Sequence, residues 1–249
     1  MGILNITPDS FSDGGRDTTT VAAIERGLAM VAQGAHIIDI GGESTRPNFT
    51  PVSVDEELAR VLPVVKTLAA AGVCVSIDTH KPQVMQVALD AGASIVNDVN
   101  ALCDEAALKI AQTHDCGLIV MDGFSYENQT DQAAGIGFCA RLAQRYQTLL
   151  AAGIAADRLV IDPGIGFNKT HLENLACIRE LPELKRIAPT LIGVSNKSVL
   201  GHITGKPVGE RGPASVAAAL VAAQRGAAVL RVHDVAATRD ALAVWRALL

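Results

Sequence analysis

Residues 36–79, HIIDIGGESTRPNFTPVSVDEELARVLPVVKTLAAAGVCVSIDT, decide the fold. HIIDIGG (36–42) and VCVSIDT (73–79) are short, β-branched and apolar on successive positions, as strands buried on both faces of a parallel sheet must be. Between them SVDEELARVLPVVKTLAAAG carries helical spacing and closes on a glycine, where helix C-termini often end. Strand, helix and strand in that order make a parallel βαβ unit.

The pattern repeats in both directions. GILNI (2–6), SIVNDV (94–99), GLIVMDG (117–123), LVIDPG (159–164), TLIGVS (190–195) and VLRVHDV (229–235) are further strands, and TTVAAIERGLAMVAQG and PASVAAALVAAQRG are two of the helices between them. Eight alternations in 249 residues predict an α/β fold, a (β/α)8 TIM barrel forming a single domain over 1–249, with a doubly wound open sheet as the alternative. Aromatic residues are only 3% of the chain, so the core is expected to be Ala, Val, Ile and Leu.

A net charge of −5 without a basic tract excludes the electrostatic footprint of a nucleic-acid binder. No run of about 18 apolar residues suggests a membrane span. The five cysteines are odd in number and form no C-x-x-C pair, so they read as reduced thiols, and the expected location is cytoplasmic.

Nearly every strand begins apolar and finishes on an ionisable or amide side chain: Asn5, Asp39, Asp78, Asn97 with Asp98, Asp122, Asp162, Ser195, and Arg231 with His233. In a (β/α)8 barrel these ends share the face where the βα loops build the active site. A lone Asp after a strand is more often a helix cap than a catalyst. Repetition changes that reading for the set, and Asp98 and Asp234 are expected to be the structural members.

GGESTRPNFTP (41–51) carries Thr45 and Arg46 on a loop, and Arg beside a hydroxyl suits a carboxylate or phosphate. LVIDPGIGFNKT (159–170) is not a phosphate loop, because its spacing is not G-x-x-x-x-G-K-[ST]. Instead Asp162 is expected to face a planar ligand, with Gly164 and Gly166 turning the chain beneath it and Phe167 as an apolar wall. Asp78, Asn97 and Asp162 offer acceptors and an amide to a heterocycle rich in ring N–H and amino donors, and Lys197 adds a donor. Arg231 and His233, two apart on a strand, are expected on one face, where with Asn5 and a divalent cation they would seat a diphosphate. Mg2+ carried in with phosphate oxygens suits these hard ligands.

GILNITPDSFSDGG, IDIGGESTRP, SIDT, IVNDV, IDPGIGF, GVSNKS and LRVHDV resemble, in order, the motif series of dihydropteroate synthase. The resemblance implies a barrel, usually homodimeric, that joins 6-hydroxymethyl-7,8-dihydropterin diphosphate to 4-aminobenzoate and releases diphosphate, a Mg2+-dependent alkyl transfer in folate biosynthesis and the target of sulfonamides. It implies that Asp78, Asn97, Asp162 and Lys197 hold the pterin and that Met121 and Phe167 line its pocket. It places Asn5 on the metal, Arg231 and His233 on the diphosphate, and Thr45, Arg46 and Ser198 near the aminobenzoate. Asp39 joins the substrate-binding set. Asp78, Asp162, Lys197, Arg231 and His233 are the catalytic candidates.

The chain departs from that series at three points. Asn196 stands where members commonly carry Arg, and Asp122 where they commonly carry His. Members usually begin with a β-hairpin, and Met1 leads straight into the first strand, so the hairpin is expected to be absent or cut away. A pterin-binding paralogue with lost or altered synthase activity is therefore the alternative, and a corrinoid-linked methyltransferase domain a more distant one. NITPDSFSDGG and STRPNFT have the composition of segments that close over substrate and are expected to be disordered when empty.

Overall fold

The computed structural model describes residues 1–6, 16–43, 51–123 and 137–249. They fall into two compact units, 1–98 with 104–118, and 99–103 with 119–249.

The first unit runs β1 (Gly2–Asn5), α1 (Arg16–Ala32), β2 (Ile38–Gly41), α2 (Val54–Ala70), β3 (Val75–Asp78), α3 (Pro82–Asp90), β4 (Ile95–Asp98) and α4 (Glu105–Thr113). Its strands pair in parallel in the order β1-β2-β3-β4. Leu4, Ile38, Ile40 and Ile77 are fully buried, as are Val61, Val64, Val65 and Leu68 of α2. The start of α2 is set locally: the Ser53 hydroxyl accepts the Glu56 N–H at 3.2 Å, and Asp55, Glu56 and Glu57 occupy the positive first turn.

The second unit takes up β5 (Gly117–Met121) and continues through α5 (Phe138–Ala151), β6 (Leu159–Asp162), α6 (His171–Arg179), α7 (Leu181–Leu184), β7 (Leu191–Ile192), α8 (Ser198–Thr204), α9 (Gly212–Arg225), β8 (Val229–Leu230) and α10 (Val235–Ala247). Here β5 pairs with β6 and β7 with β8, and a parallel bridge from Ile161 to Thr190 joins the pairs. Val120, Leu142, Leu149, Leu159, Ile161 and Leu191 fill its interior. A capping box between Thr170 and Glu173 begins α6, and the Asp234 carboxylate accepts the Ala237 N–H to begin α10. Asp234 is thus the structural residue that its sequence position implies.

All eight strands are present, but β7 and β8 are shorter than their apolar runs. The Arg231 N–H still bonds Ile192 O at 2.9 Å, whereas the His233 N–H turns to the Ser195 hydroxyl at 3.3 Å. Backbone pairing gives way to a side chain, so Arg231 and His233 lie beyond β8 rather than two apart on a strand. Among the described residues no helix is long and apolar enough to cross a membrane.

Candidate active site

In the first unit the register places one residue of each strand at the same level. Asn5 pairs with Gly41, Gly41 with Asp78, and Asp78 with Asn97. Laterally paired residues share a face of the sheet, so Asn5, Asp78 and Asn97 form a polar row at the C-terminal strand ends. Gly41 leaves a gap in that row: a Cβ there would stand 3.5 Å from Asn5 Oδ1 and 3.7 Å from Asp78 Cβ. Asp39 is the second residue of β2 rather than its end, two residues below Gly41 and on the same face. Its carboxylate accepts from Asn97 Nδ2 at 3.1 Å, which fixes the orientation of the amide.

A largely buried ionic cluster lies just beyond the ends of β2 and β3. Lys81 Nζ lies 2.8 Å from Glu43 Oε2 and 2.6 Å from Glu57 Oε2, and the Val52 N–H donates to Glu43 Oε2 at 2.8 Å. Burial alone would push the Lys81 pKa down, but the two carboxylates outweigh it and hold the ammonium above the ordinary lysine value. None of the three residues stood out in the sequence. The only signal was an acid inside GGES, a lysine two residues past SIDT and an acid in the first turn of the helix between them.

In the second unit Asp162 ends β6 and is buried. Gly164 and Gly166 have φ of +67° and +85°, and this turn lets the Gly164 N–H donate to Asp162 Oδ1 at 2.8 Å. Burial pushes the Asp162 pKa above the ordinary aspartate value, against the pull of that bond and of the Lys197, Arg231 and Lys169 charges. Lys197 Nζ sits 4.2 Å from the centre of the Phe167 ring, a cation–π contact. The bare Gly166 makes room for it, since a Cβ there would come within 2.9 Å of Lys197 Cδ. Met121, the buried last residue of β5, lies against Gly164.

Ser195, His233 and Arg231 surround the ends of β7 and β8. His233 Nδ1 is 3.0 Å from Ser195 Oγ, and Arg231 is near enough to Asp162 to act on its charge. The His233 amide also donates to the Ser195 hydroxyl, so that one side chain orients both the backbone and the ring of His233. Asn196 has φ of +61°, a left-handed conformation that Asn tolerates better than most residues. Its N–H donates to the Ser215 hydroxyl at 3.0 Å, and Arg211 donates to its carbonyl at 3.1 Å. Ser198 is the exposed first residue of α8.

Asp122 follows β5 and is a hub that the sequence did not reveal. Its carboxylate accepts from Arg141 Nε at 2.8 Å and Arg141 Nη2 at 2.7 Å, and pairs with Lys169 Nζ at 2.9 Å. Thr45 and Arg46 lie outside the described residues, as do most of NITPDSFSDGG and all of STRPNFT. Among the described residues no three His, Cys, Asp or Glu side chains converge to hold a metal ion. The Asn5 amide oxygen, unobstructed by a side chain at Gly41, is a single hard donor, which fits Mg2+ that brings phosphate oxygens as its other ligands.

Eight βα units in chain order, with acids and amides at their strand ends, define the class of (β/α)8-barrel enzymes. A family model described as pterin binding enzyme matches residues 1–233. A dihydropteroate synthase of Neisseria meningitidis serogroup C is 46% identical over 259 aligned residues, covering 100% of this chain and 92% of that protein. The structure of Xanthomonas albilineans dihydropteroate synthase with 4-aminobenzoic acid matches with a TM-score of 0.92 at 46% identity, covering 100% of this chain and 92% of that one. The same enzyme in complex with 7,8-dihydropteroate matches with a TM-score of 0.89 at 44% identity and the same coverage. The chain belongs to the dihydropteroate synthase family.

Proposed function

We infer that residues 1–249 are one pterin-binding (β/α)8 domain that condenses 6-hydroxymethyl-7,8-dihydropterin diphosphate with 4-aminobenzoate, giving 7,8-dihydropteroate and diphosphate. The observation that carries this is the polar row of Asn5, Asp78 and Asn97 in one register across β1, β3 and β4. Such a row offers acceptors and an amide at one level to the N–H-rich edge of a flat ring.

In this reading Asp78, Asn97, Asp162 and Lys197 hold the pterin, and Met121 and Phe167 cover its faces. Asp39 acts through Asn97 by orienting its amide. The C–O bond to the diphosphate breaks, the electron pair leaves with the diphosphate, and positive charge spreads over the pterin. The Asp78 and Asp162 carboxylates oppose that charge from fixed positions, so little reorganisation is needed at the transition state. Arg231 and the His233 imidazole receive the departing anion. The neutral arylamine of 4-aminobenzoate then forms the new C–N bond and gives up its proton to water, with Thr45, Arg46 and Ser198 nearby. No protein nucleophile takes part. Asn5 would hold Mg2+, which when bound neutralises diphosphate charge.

The proposal includes a homodimer, to be read by light scattering, and a cytoplasmic location, which the five free cysteines suit. Asp122 tied to Arg141 and Lys169, and Asn196 held in its left-handed turn, favour a second reading in which the pterin binds but is not joined to the arylamine. Turnover with both substrates, measured beside binding of the pterin diphosphate alone, separates the two. Diphosphate release that depends on 4-aminobenzoate supports the synthase; pterin binding without release supports the second reading.

A further inference from the structure

We propose that Asp122 is a positioning residue for the pterin site, fixing through Lys169 and Arg141 the turn that follows Asp162 and carries Phe167. This rests on the reading of Asp162 and Phe167 as pterin-holding.

The turn spans residues 163–170, between β6 and α6, and Asp122 grips it at both ends. At its start the Asp122 N–H donates to Asp162 O at 2.9 Å, and Gly164 packs so closely that a Cβ would overlap the Asp122 carbonyl. At its end Lys169 Nζ lies 2.9 Å from Asp122 Oδ2, 2.8 Å from Asp122 O and 3.4 Å from Phe167 O. The ammonium thus joins the end of β5 to the residue bearing the apolar wall. Side-chain exposure is 2% for Asp122 and 5% for Lys169, so water screens this pair little. Arg141, on the first turn of α5, holds the carboxylate from the other side in a two-pronged pair and stops it rotating away from Lys169. Asn174 completes the clamp, accepting the Gly166 N–H at 2.6 Å and donating to Lys169 O at 3.2 Å.

A purely structural staple would stabilise the fold and leave substrate discrimination alone. A positioning role makes a narrower demand: loosening the turn harms the pterin and spares the arylamine. Lys169→Met is the sharpest test, because Asp122 and Arg141 remain a balanced pair while the link to the turn is lost. Calorimetry with the pterin diphosphate and Mg2+ should show affinity weakened on the order of tenfold to a hundredfold, as for a ligand group displaced by about an ångström. KM for 4-aminobenzoate should stay within about twofold, within the ordinary scatter for an untouched contact. Backbone amides of 164–170 should exchange faster, while Arg141→Lys, which keeps the charge, should restore most of the affinity lost in Arg141→Ala.

A folded Lys169→Met protein with unchanged pterin affinity and unchanged exchange overturns the proposal, and so does a parallel rise in both KM values. Should Lys169→Met not fold, Asp122→Asn, which keeps the backbone contacts and the side-chain shape, is judged by the same readings. Asp162→Asn serves as the control. If it keeps full pterin affinity, the reading of Asp162 fails; if it loses affinity while Lys169→Met does not, the positioning role alone fails.

Discussion

Gly41 and Gly42 are neighbours, yet the structure assigns them opposite consequences on substitution. At Gly41 an added methyl would meet Asn5 Oδ1 at 3.5 Å and Asp78 Cβ at 3.7 Å, ordinary contact distances that require nothing to move. Replacing a strand glycine by alanine also removes chain entropy from the unfolded state, so Gly41→Ala should be neutral or more stable by about 0.5–1 kcal/mol. For a chain of this size that is a rise of roughly 1–4 °C in Tm. At Gly42 the methyl would come within 2.7 Å of Val61 Cγ1 and 2.9 Å of Glu57 Cγ, with Glu57 O at 3.3 Å. Val61 is fully buried and cannot swing aside, so overpacking should cost about 1–3 kcal/mol. The matching fall in Tm is roughly 2–12 °C.

Function should follow the reverse order. The Gly41 methyl fills the gap between the Asn5 amide and the Asp78 carboxylate, where the substrate and its cation are proposed to sit. Turnover should fall at least about tenfold, which corresponds to about 1.4 kcal/mol in the barrier. Gly42→Ala should keep near-normal kcat in the fraction that stays folded. Thermal melts followed by dye fluorescence and a coupled diphosphate-release assay read both quantities on the same preparations. Wild-type turnover in Gly41→Ala would show that the row does not face substrate. A drop in its Tm like that of Gly42→Ala would show that the register itself is wrong.

Asp162→Asn should lose turnover yet melt at or above the wild-type temperature at neutral pH. Burial raises the Asp162 pKa on folding, so the ionised carboxylate costs stability above its folded pKa, and this cost fades as pH falls towards the unfolded value. Melts from pH 3 to 8 should show the variant's advantage shrinking with acid; an advantage that grows with acid would contradict the sign. Lys81→Met leaves Glu43 and Glu57 buried without their cation and should destabilise by about 3–5 kcal/mol in urea titrations. Because the Lys81 pKa is raised, its contribution is complete below the ordinary lysine value and disappears as pH climbs through the folded one. A gap between wild type and variant that narrows between pH 7 and 9 would refute the ion-pair account. Alkylation at pH 7.5 should reach exposed Cys103 first and leave Cys177 last, since burial pushes the Cys177 thiol up to about 12; rapid labelling of Cys177 in the native protein would contradict its environment.

The strands were legible because a chain buried on both faces must be apolar at successive positions, a requirement written wholly in local sequence. Asp78, Asn97 and Asp162 were legible for a related reason: each interrupts such a run at its final turns, where burial makes a polar side chain costly unless it has a partner or a task. Register is a different kind of information. Nothing local says that Asn5, Gly41, Asp78 and Asn97 share one level, because that depends on how far each strand slides against the next. The same blindness hid the ionic clusters. Lys81 was a cation after a motif and Glu57 one of three acids beginning a helix, while Lys169 belonged to a phosphate loop whose spacing was wrong. Each is drawn away from solvent beside an opposite charge from another element. Asp122 shows the limit best: as one residue it was a departure from a motif, read as a loss. Beside Arg141 and Lys169 it is a buried anion that two cations compensate, so the departure is one member of a compensated set whose other members lie 19 and 47 residues further along the chain.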